Sequence, residues 1–442
     1  MRFTSGAVTW LFLRVLGVVY FVAFASLAVQ IVPLVGARGI IPGPLWATDA
    51  VLRALTVGGV GAAVLLVAGF APIPVLLVLW LDYLVVSNLG AEFLSYQWDA
   101  LLLETGLLAV FIAPPVWRER LERAEDPSPI GRWLMLWLLF RLMVGSGAVK
   151  LASGDPTWRN LTAMTFHYET QPIPTPFAWY AHRLPLWFQK VSTLAVFVIE
   201  IAAPFAMFGP RVVRIAGFVA LVTLQLLIAL TGNYAFFNLL SAALCLFLLG
   251  EAGPRGSGIQ RIAAWAYAIV TVPVSVAMFA ASLGIFFAPP PVVAIADFIA
   301  PLHSVNSYGL FAVMTTVRDE IVIEGSDDGV TWRAYEFRYK PGDLTRRPPW
   351  VAPHQPRLDW QMWFASLTGY ETVPWFETFC RRLLEGSPGV LALLARNPFP
   401  DRPPRYIRAE RYRYHYGTDT WWTRERVSGY SPVLALGPGN RN

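Results

Sequence analysis

The sequence predicts an α-helical polytopic membrane bundle of about nine spans, followed by a C-terminal extracytoplasmic mixed α/β domain with a small β-sandwich-like sheet. Three observations carry that expectation. The 442 residues are 55% hydrophobic and only 14% charged, with mean hydropathy +0.49, whereas a soluble chain has about 25% charged residues. Apolar runs of spanning length recur along the first two thirds. Charge is uneven: residues 1–290 hold 17 basic and 13 acidic groups, and the much shorter 291–442 hold 18 and 16. These proportions exclude intrinsic disorder and an ordinary soluble enzyme.

A bilayer core needs about 20 apolar residues per helix. Such runs fall at 8–34, 52–70, 72–90, 97–114, 131–151, 191–208, 212–231, 234–250 and 262–288. The first is too long for a signal-peptide core and lacks a small-residue cleavage site. Pro72 and Pro74 mark a tight link between the second and third. The fourth is the weakest, because it opens with Ser95, Gln97 and Asp99.

Loop charges orient the bundle through the positive-inside rule. With the N-terminus inside, the inner loops carry Arg2, Arg118, Arg120, Arg123, Arg132, Arg211, Arg214, Arg255 and Arg261. The outer loops carry Arg38, Arg53, Arg159, Arg183 and Lys190. An odd span count then puts the C-terminal domain outside. Of 35 basic residues only Lys150, Lys190 and Lys340 are lysines, which reads as a high-GC coding bias and a bacterial source. The expected location is the bacterial inner membrane, with the tail in the periplasm. The net charge of +6 and the pI near 9.4 are therefore a topology signal, and no nucleic-acid partner is expected. Membrane lipids are.

Two domains follow from the charge pattern: residues 1–290, with an interfacial loop at 152–190, and a soluble domain at 291–442. That loop is rich in His167, Tyr168, Trp179, Tyr180, His182 and Trp187, the residue types that gather at membrane interfaces. In the tail, Glu320–Ser326 and Val330–Tyr339 read as strands joined by Asp327-Asp328-Gly329, a hairpin pattern. Helical patterns follow near 359–368, 374–386 and 388–396. Alternating Arg and Tyr from Arg405 to Tyr416 reads as a half-exposed edge strand. Trp332 of the hairpin and Tyr406, Arg408, Tyr412 and Tyr414 of this strand are the candidate client contacts, since aromatic and Arg side chains are the usual interface anchors.

Ionisable groups inside a membrane are costly and mark functional candidates. Arg14, Asp82, Glu92, Asp99, Glu104, Arg141, Lys150 and Glu200 lie in or near spans. Three bases against five acids point to pairing across helices, which can also serve only to fix helix register. Gln97, Asp99, Glu104, Arg141 and Lys150 form the expected polar cluster. Asp99 and Glu104 are about 140° apart on a helix, so they face different neighbours. Gly145-Ser146-Gly147 lets helices approach closely, and Ser146 shares a face with Lys150. A buried Lys150 would be a usable base; near a helix end it can equally snorkel to the interface.

The five histidines are scattered, and neither cysteine, Cys245 or Cys380, has a metal or redox spacing. No metal site, cofactor, disulfide, nucleophile elbow or phosphate loop is expected. A transporter would show corresponding broken helices in two halves, and no such repeat is evident.

Long stretches resemble the lipase maturation factor family: Phe93–Gly106, Thr157–Pro176, Tyr308–Thr316, Glu324–Trp332, Phe337–Asp343, Pro353–Trp363 and Asn397–Pro400. The resemblance covers nearly the whole chain. It implies a multi-pass membrane protein with a lumenal C-terminal domain, whose eukaryotic relatives reside in the endoplasmic reticulum membrane and help secreted dimeric lipases to fold and assemble; by analogy this chain would assist exported proteins, lipase-type clients among them. The implied partner is an exported client, and the implied role is chaperone-like. Gly147-Ala-Val-Lys150-Leu151 followed by Trp158 is also similar to the vitamin K-dependent γ-glutamyl carboxylase and its relatives among horizontally transferred transmembrane domains. That implies an alternative: a membrane enzyme acting on a lipid-soluble cofactor or an exported substrate, with Lys150 as base and Arg141 and His167 beside it. Ser153, Gly154 and Pro156 lengthen the spacing to Trp158, so the likeness carries the helix further than the reaction.

Overall fold

The computed structural model describes residues 4–251 and 258–437. Arg2 and Arg255, two of the expected inner-side arginines, lie outside the described residues.

The chain opens with α1 (Ser5–Ala28), the short α2 (Ile31–Val35), α3 (Asp49–Val67), α4 (Pro72–Gly90), α5 (Gln97–Val110) and α6 (Pro129–Ala152). Local chemistry sets the starts. Thr4, Thr48 and Ser128 cap α1, α3 and α6 through their hydroxyls, and Pro72 and Pro129 occupy first-turn positions, where a missing N–H costs nothing. Three small helices follow, α7 (Pro156–Arg159), α8 (Ala163–Thr170) and α9 (Pro176–His182). Then come α10 (Leu186–Phe197), continued through a π-turn and a 3-10 turn to Phe208, α11 (Arg211–Thr231), α12 (Phe237–Cys245), α13 (Gly258–Ser282) and α14 (Pro290–Ile299).

All nine apolar runs are helical. Seven, among the described residues, are long and apolar enough to cross a bilayer: α1, α3, α4, α6, α10 with its continuation, α11 and α13. The other two are short. α5 has 14 residues, and α12 with its 3-10 extension ends at Leu248, so each covers only about 20 Å at 1.5 Å per residue against a core of about 30 Å. Both are largely buried by other helices, and a helix shielded from lipid need not match its thickness.

Contacts sort the ends of the bundle. Ser5 meets Glu251, Arg14 pairs with Glu119, Arg132 and Arg214 reach the Gly250 carbonyl, and Gln260 reaches Ala113, all at one end. At the other end Ser26 and Gln30 meet Gln355, Tyr96 meets Arg357, and Trp158 meets Phe311. The C-terminal domain therefore sits opposite the arginine-rich end.

That domain is built on a four-stranded antiparallel sheet ordered β2-β1-β5-β6 and a two-stranded ribbon β3-β4. The strands are β1 (Arg318–Ser326), β2 (Arg333–Ala334), β3 (Glu336–Phe337), β4 (Leu394–Arg396), β5 (Tyr406–Tyr416) and β6 (Trp422–Leu434). Helices α15 (Arg357–Ser366) and α16 (Pro374–Leu384) pack on one face, with the Tyr430 hydroxyl on the Ala365 carbonyl at 3.0 Å and the Phe376 and Tyr430 rings 5.2 Å apart.

Three expectations change. The Arg/Tyr strand β5 is interior, paired with β1 and β6 on its two sides; alternation reports which face is solvated, not whether an edge is free. Val330–Tyr339 divides into β2 and β3, which pair with different partners. The pattern at 388–396 forms only α17 (Pro388–Leu391) before the chain turns into β4. The hairpin turn itself closes at Gly329, whose φ of +76° favours glycine.

Candidate functional site

The sequence-selected polar residues gather at the level where bundle, small helices and tail meet, and they resolve into three separate ion pairs. Asp99, in the first turn of α5, takes Arg357 of α15 in a two-pronged contact, 2.9 Å at both oxygens, and also accepts the Tyr83 hydroxyl at 2.5 Å. Arg357 donates further to the Phe93 carbonyl at 2.6 Å, and both partners are 1% exposed. Burial works against the Arg357 charge, but the Asp99 carboxylate more than offsets it and raises the guanidinium pKa.

Glu104, one and a half turns further along α5, pairs with Arg141 of α6. Its second oxygen accepts the Asn306 backbone and side-chain N–H groups and the Tyr308 hydroxyl at 2.8 Å. Arg141 also donates to the Asn306 carbonyl at 3.1 Å. The two acids thus face different neighbours, and both partner sets include the tail. Gln97 joins them by accepting the Gly309 N–H at 3.1 Å.

Lys150 does not join Arg141. Its ammonium donates to both oxygens of Glu200, at 3.1 and 2.8 Å, and to the Ser146 carbonyl at 2.9 Å. Glu200 lies in a π-turn, Val198–Ala202, a local widening that often marks a functional position. Gly147 makes the approach possible: a Cβ there would lie 2.6 Å from Ile201 and 3.1 Å from Glu200. Gly145, half a turn away, abuts the Tyr308 carbonyl in the same manner at 2.9 Å.

His167, on α8, is set apart from these pairs. Its Nε2 lies 3.3 Å from the Tyr234 hydroxyl, its ring packs edge-on to Phe311, and its Nδ1 is shut from solvent without a partner. Burial, reinforced by the nearby Lys150 charge, lowers its pKa to about 4, so the ring is neutral at neutral pH. Asp155, just past α6, accepts from Thr157 and from the Met314 N–H at 2.6 Å, another tie to the tail.

Residues that sequence reasoning did not select complete the junction. Arg318 of β1, 1% exposed, donates to the Glu169, Gln171 and Pro172 carbonyls and to Glu320. It gathers the end of α8 onto the sheet. The signal for Arg357 was present: five acids against three bases in the spans left acids needing a partner from outside the bundle.

The client-contact candidates lie elsewhere on the sheet. Arg408 stacks over the Trp332 ring at 4.2 Å and pairs with Glu324 at 2.7 Å. Tyr406 and Tyr412 are half-buried on the same strand, with Arg424 over Tyr412 at 4.5 Å. Tyr414 differs: it is 0% exposed, with its hydroxyl on the Gly342 carbonyl at 2.8 Å. It belongs to the core and not to the surface. Among the described residues no group of three or more His, Cys, Asp or Glu could hold a metal ion.

Comparison with known proteins bears on what this junction belongs to. The lipase maturation factor transmembrane domain matches residues 7–50 and 44–253, and the lipase maturation factor C-terminal domain matches 304–432. The chain belongs to the lipase maturation factor family. It is 36% identical to lipase maturation factor 2 of Gallus gallus, over 97% of this chain and 81% of that protein. It is 35% identical to lipase maturation factor 2 of Homo sapiens, over 97% and 82%, and 34% identical to lipase maturation factor 1 of Mus musculus, over 96% and 86%. No solved structure matches the chain. In this family member, each of the three ion pairs lies within the matched regions, and two of them bind tail to bundle.

Proposed function

We propose that this protein is a membrane-embedded maturation factor that helps exported proteins fold or assemble, with lipase-type clients. The observation that carries the reading is family membership across both the membrane and C-terminal domains. A domain locked onto a bundle by buried charge is suited to holding a partner near the membrane at which it emerges. We further propose the division at 290, with 152–190 as the layer between, and orient the 291–442 domain to the periplasm of a bacterial inner membrane. Arg14, Arg132 and Arg214 at the opposite end support that orientation. Trp332, Tyr406, Arg408 and Tyr412 are the proposed contact surface; the burial of Tyr414 removes it.

The carboxylase-like alternative receives less support from the geometry. A base needs a free lone pair, and the Lys150 nitrogen is engaged by Glu200 and Ser146 on all its donor directions. Arg141 pairs with Glu104, and the His167 Nε2 lies against the Tyr234 hydroxyl, so neither is bonded to the Lys150 nitrogen.

The test is photo-crosslinking in intact membranes with a reactive amino acid at Trp332 or Tyr412, followed by mass spectrometry. Exported hydrolases should be captured from Trp332 and Tyr412, and none from a control position on the arginine-rich end. Equal capture from both ends, or no exported protein at all, would sink the reading.

A further inference from the structure

We propose that the cleft between the C-terminal ends of α6 and α13 binds one acyl chain of an amphiphile, with the oxygen-bearing end of the chain at the cleft floor. This does not depend on the maturation role. The cleft is a groove open to the surroundings with room for about 470 Å³, within the range of about 300–1,000 Å³ typical of small-ligand sites. Its walls are mainly apolar and small: Val149 and Ala152 on α6, Ala281 and Leu283 at the end of α13, and Ala312 on the chain beyond, with Ser153 and Ser282 beside them. Both helices are spanning helices, so their ends place the cleft at the depth where acyl carbonyls lie in a bilayer. Close along the chain to these lining residues, Phe286, Phe287 and Val313 are 86%, 76% and 67% exposed.

The floor is polar, and the polarity continues inward. The half-buried Gln97 lines it, with the exposed Ser307 beside it; the Gln97 oxygen already accepts Gly309, which leaves the amide nitrogen as a donor. Beneath lies a void of about 10 Å³ bounded by Ser282, Tyr308 and Arg141, and a second of the same size reaches Arg141 and Glu104. Each has room for about one water. The Arg141 Nε is buried without a hydrogen-bond partner beside these voids, on a residue only 4% exposed. A carboxyl or ester oxygen at Ser307 would therefore meet hydroxyl and amide donors, and water could relay to the unpaired Nε–H of Arg141.

A peptide fits less well. A helix is about 10–12 Å across, too wide for this volume. An extended strand would bring a row of backbone polar groups that these walls leave unpaired. One hydrocarbon chain asks only for apolar walls and one acceptor site.

Two sources supply that chemistry, a chain of a bilayer phospholipid and a free fatty acid. The full-length protein, reconstituted in phosphatidylglycerol nanodiscs, is exposed to a diazirine-labelled fatty acid or a diazirine-labelled phosphatidylglycerol and irradiated, and the adducts are mapped. Labelling is expected at 149–153, 281–284 or 307–313, several-fold reduced by A152W and by A281W. Ala152 is exposed and Ala281 half-buried, on opposite walls, so loss of either variant to misfolding leaves the other. The probe that labels identifies the source. Labelling spread evenly over the lipid-facing helices, or unchanged in both filled variants, overturns the proposal.

Discussion

Replacing Arg357 with Met probes how the tail is held to the bundle. The side chain is fully enclosed and makes three charged contacts, two to Asp99 at 2.9 Å and one to the Phe93 carbonyl at 2.6 Å. Met fills similar space but donates nothing. Asp99, itself 1% exposed, would keep only the Tyr83 hydroxyl. Breaking a buried pair from one side costs about 3–5 kcal/mol, because the remaining charge stays in a low-dielectric site. That corresponds to roughly two to three and a half orders of magnitude in the equilibrium for α15 to separate from α4 and α5. Hydrogen exchange of the protein in nanodiscs measures it directly: peptides from 93–110 and 357–366 should lose protection together, while α11 and α13 are unchanged. The D99L/R357M double variant removes both charges and should recover most of the protection. Unchanged exchange in R357M, or a double variant that opens as far as the two single effects combined, would refute the idea that this pair fastens the domain.

The remaining predictions follow the same geometry. K150M should destabilise the π-turn by about 3–5 kcal/mol by stranding Glu200, and K150M/E200M should restore thermal stability; client capture by the stable double variant is expected to persist, whereas a catalytic Lys150 would abolish it. G145V should lower the unfolding midpoint by the equivalent of about 1–3 kcal/mol, since its first added carbon meets the Tyr308 carbonyl at 2.9 Å. His167 is neutral in the fold down to about pH 4, but in the unfolded chain it takes a proton near 6.5. Stability should therefore fall by up to about 3 kcal/mol as the pH drops from 6.5 to 4. H167F should lose that portion of the slope, read as the difference between the two unfolding profiles; parallel profiles would contradict it.

Much of the site was legible as letters but not as pairs. Helix periodicity separated Asp99 from Glu104 correctly, because both lie on one short helix and a rigid 100° step relates them. It could not choose their partners. Glu104 found Arg141 on the next helix, 37 residues on, and Asp99 found Arg357, which sequence order places 258 residues distant. Lys150 was grouped with Arg141 in the expected polar cluster; its partner is Glu200, brought in by a π-turn that has no sequence signature. Tyr414 and Tyr412 are alike in the alternating strand pattern. One is enclosed because the segment carrying Gly342 folds over that end of the sheet.

The sequence by itself determined what is local or additive. Apolar runs specify the helices that cross a bilayer, hydroxyl caps and prolines specify where several begin, and uneven charge separates bundle from tail. Motifs long enough to be unmistakable specify the family. Only the tertiary structure decided that two of the nine helices are short interior ones, that the Arg/Tyr strand is central, and that the costly membrane charges fasten the tail. The reason is physical. Burial and helix length are properties of a segment, whereas an ion pair or a strand's neighbour is a property of two segments, fixed only when the packing of every other element has set the distance between them.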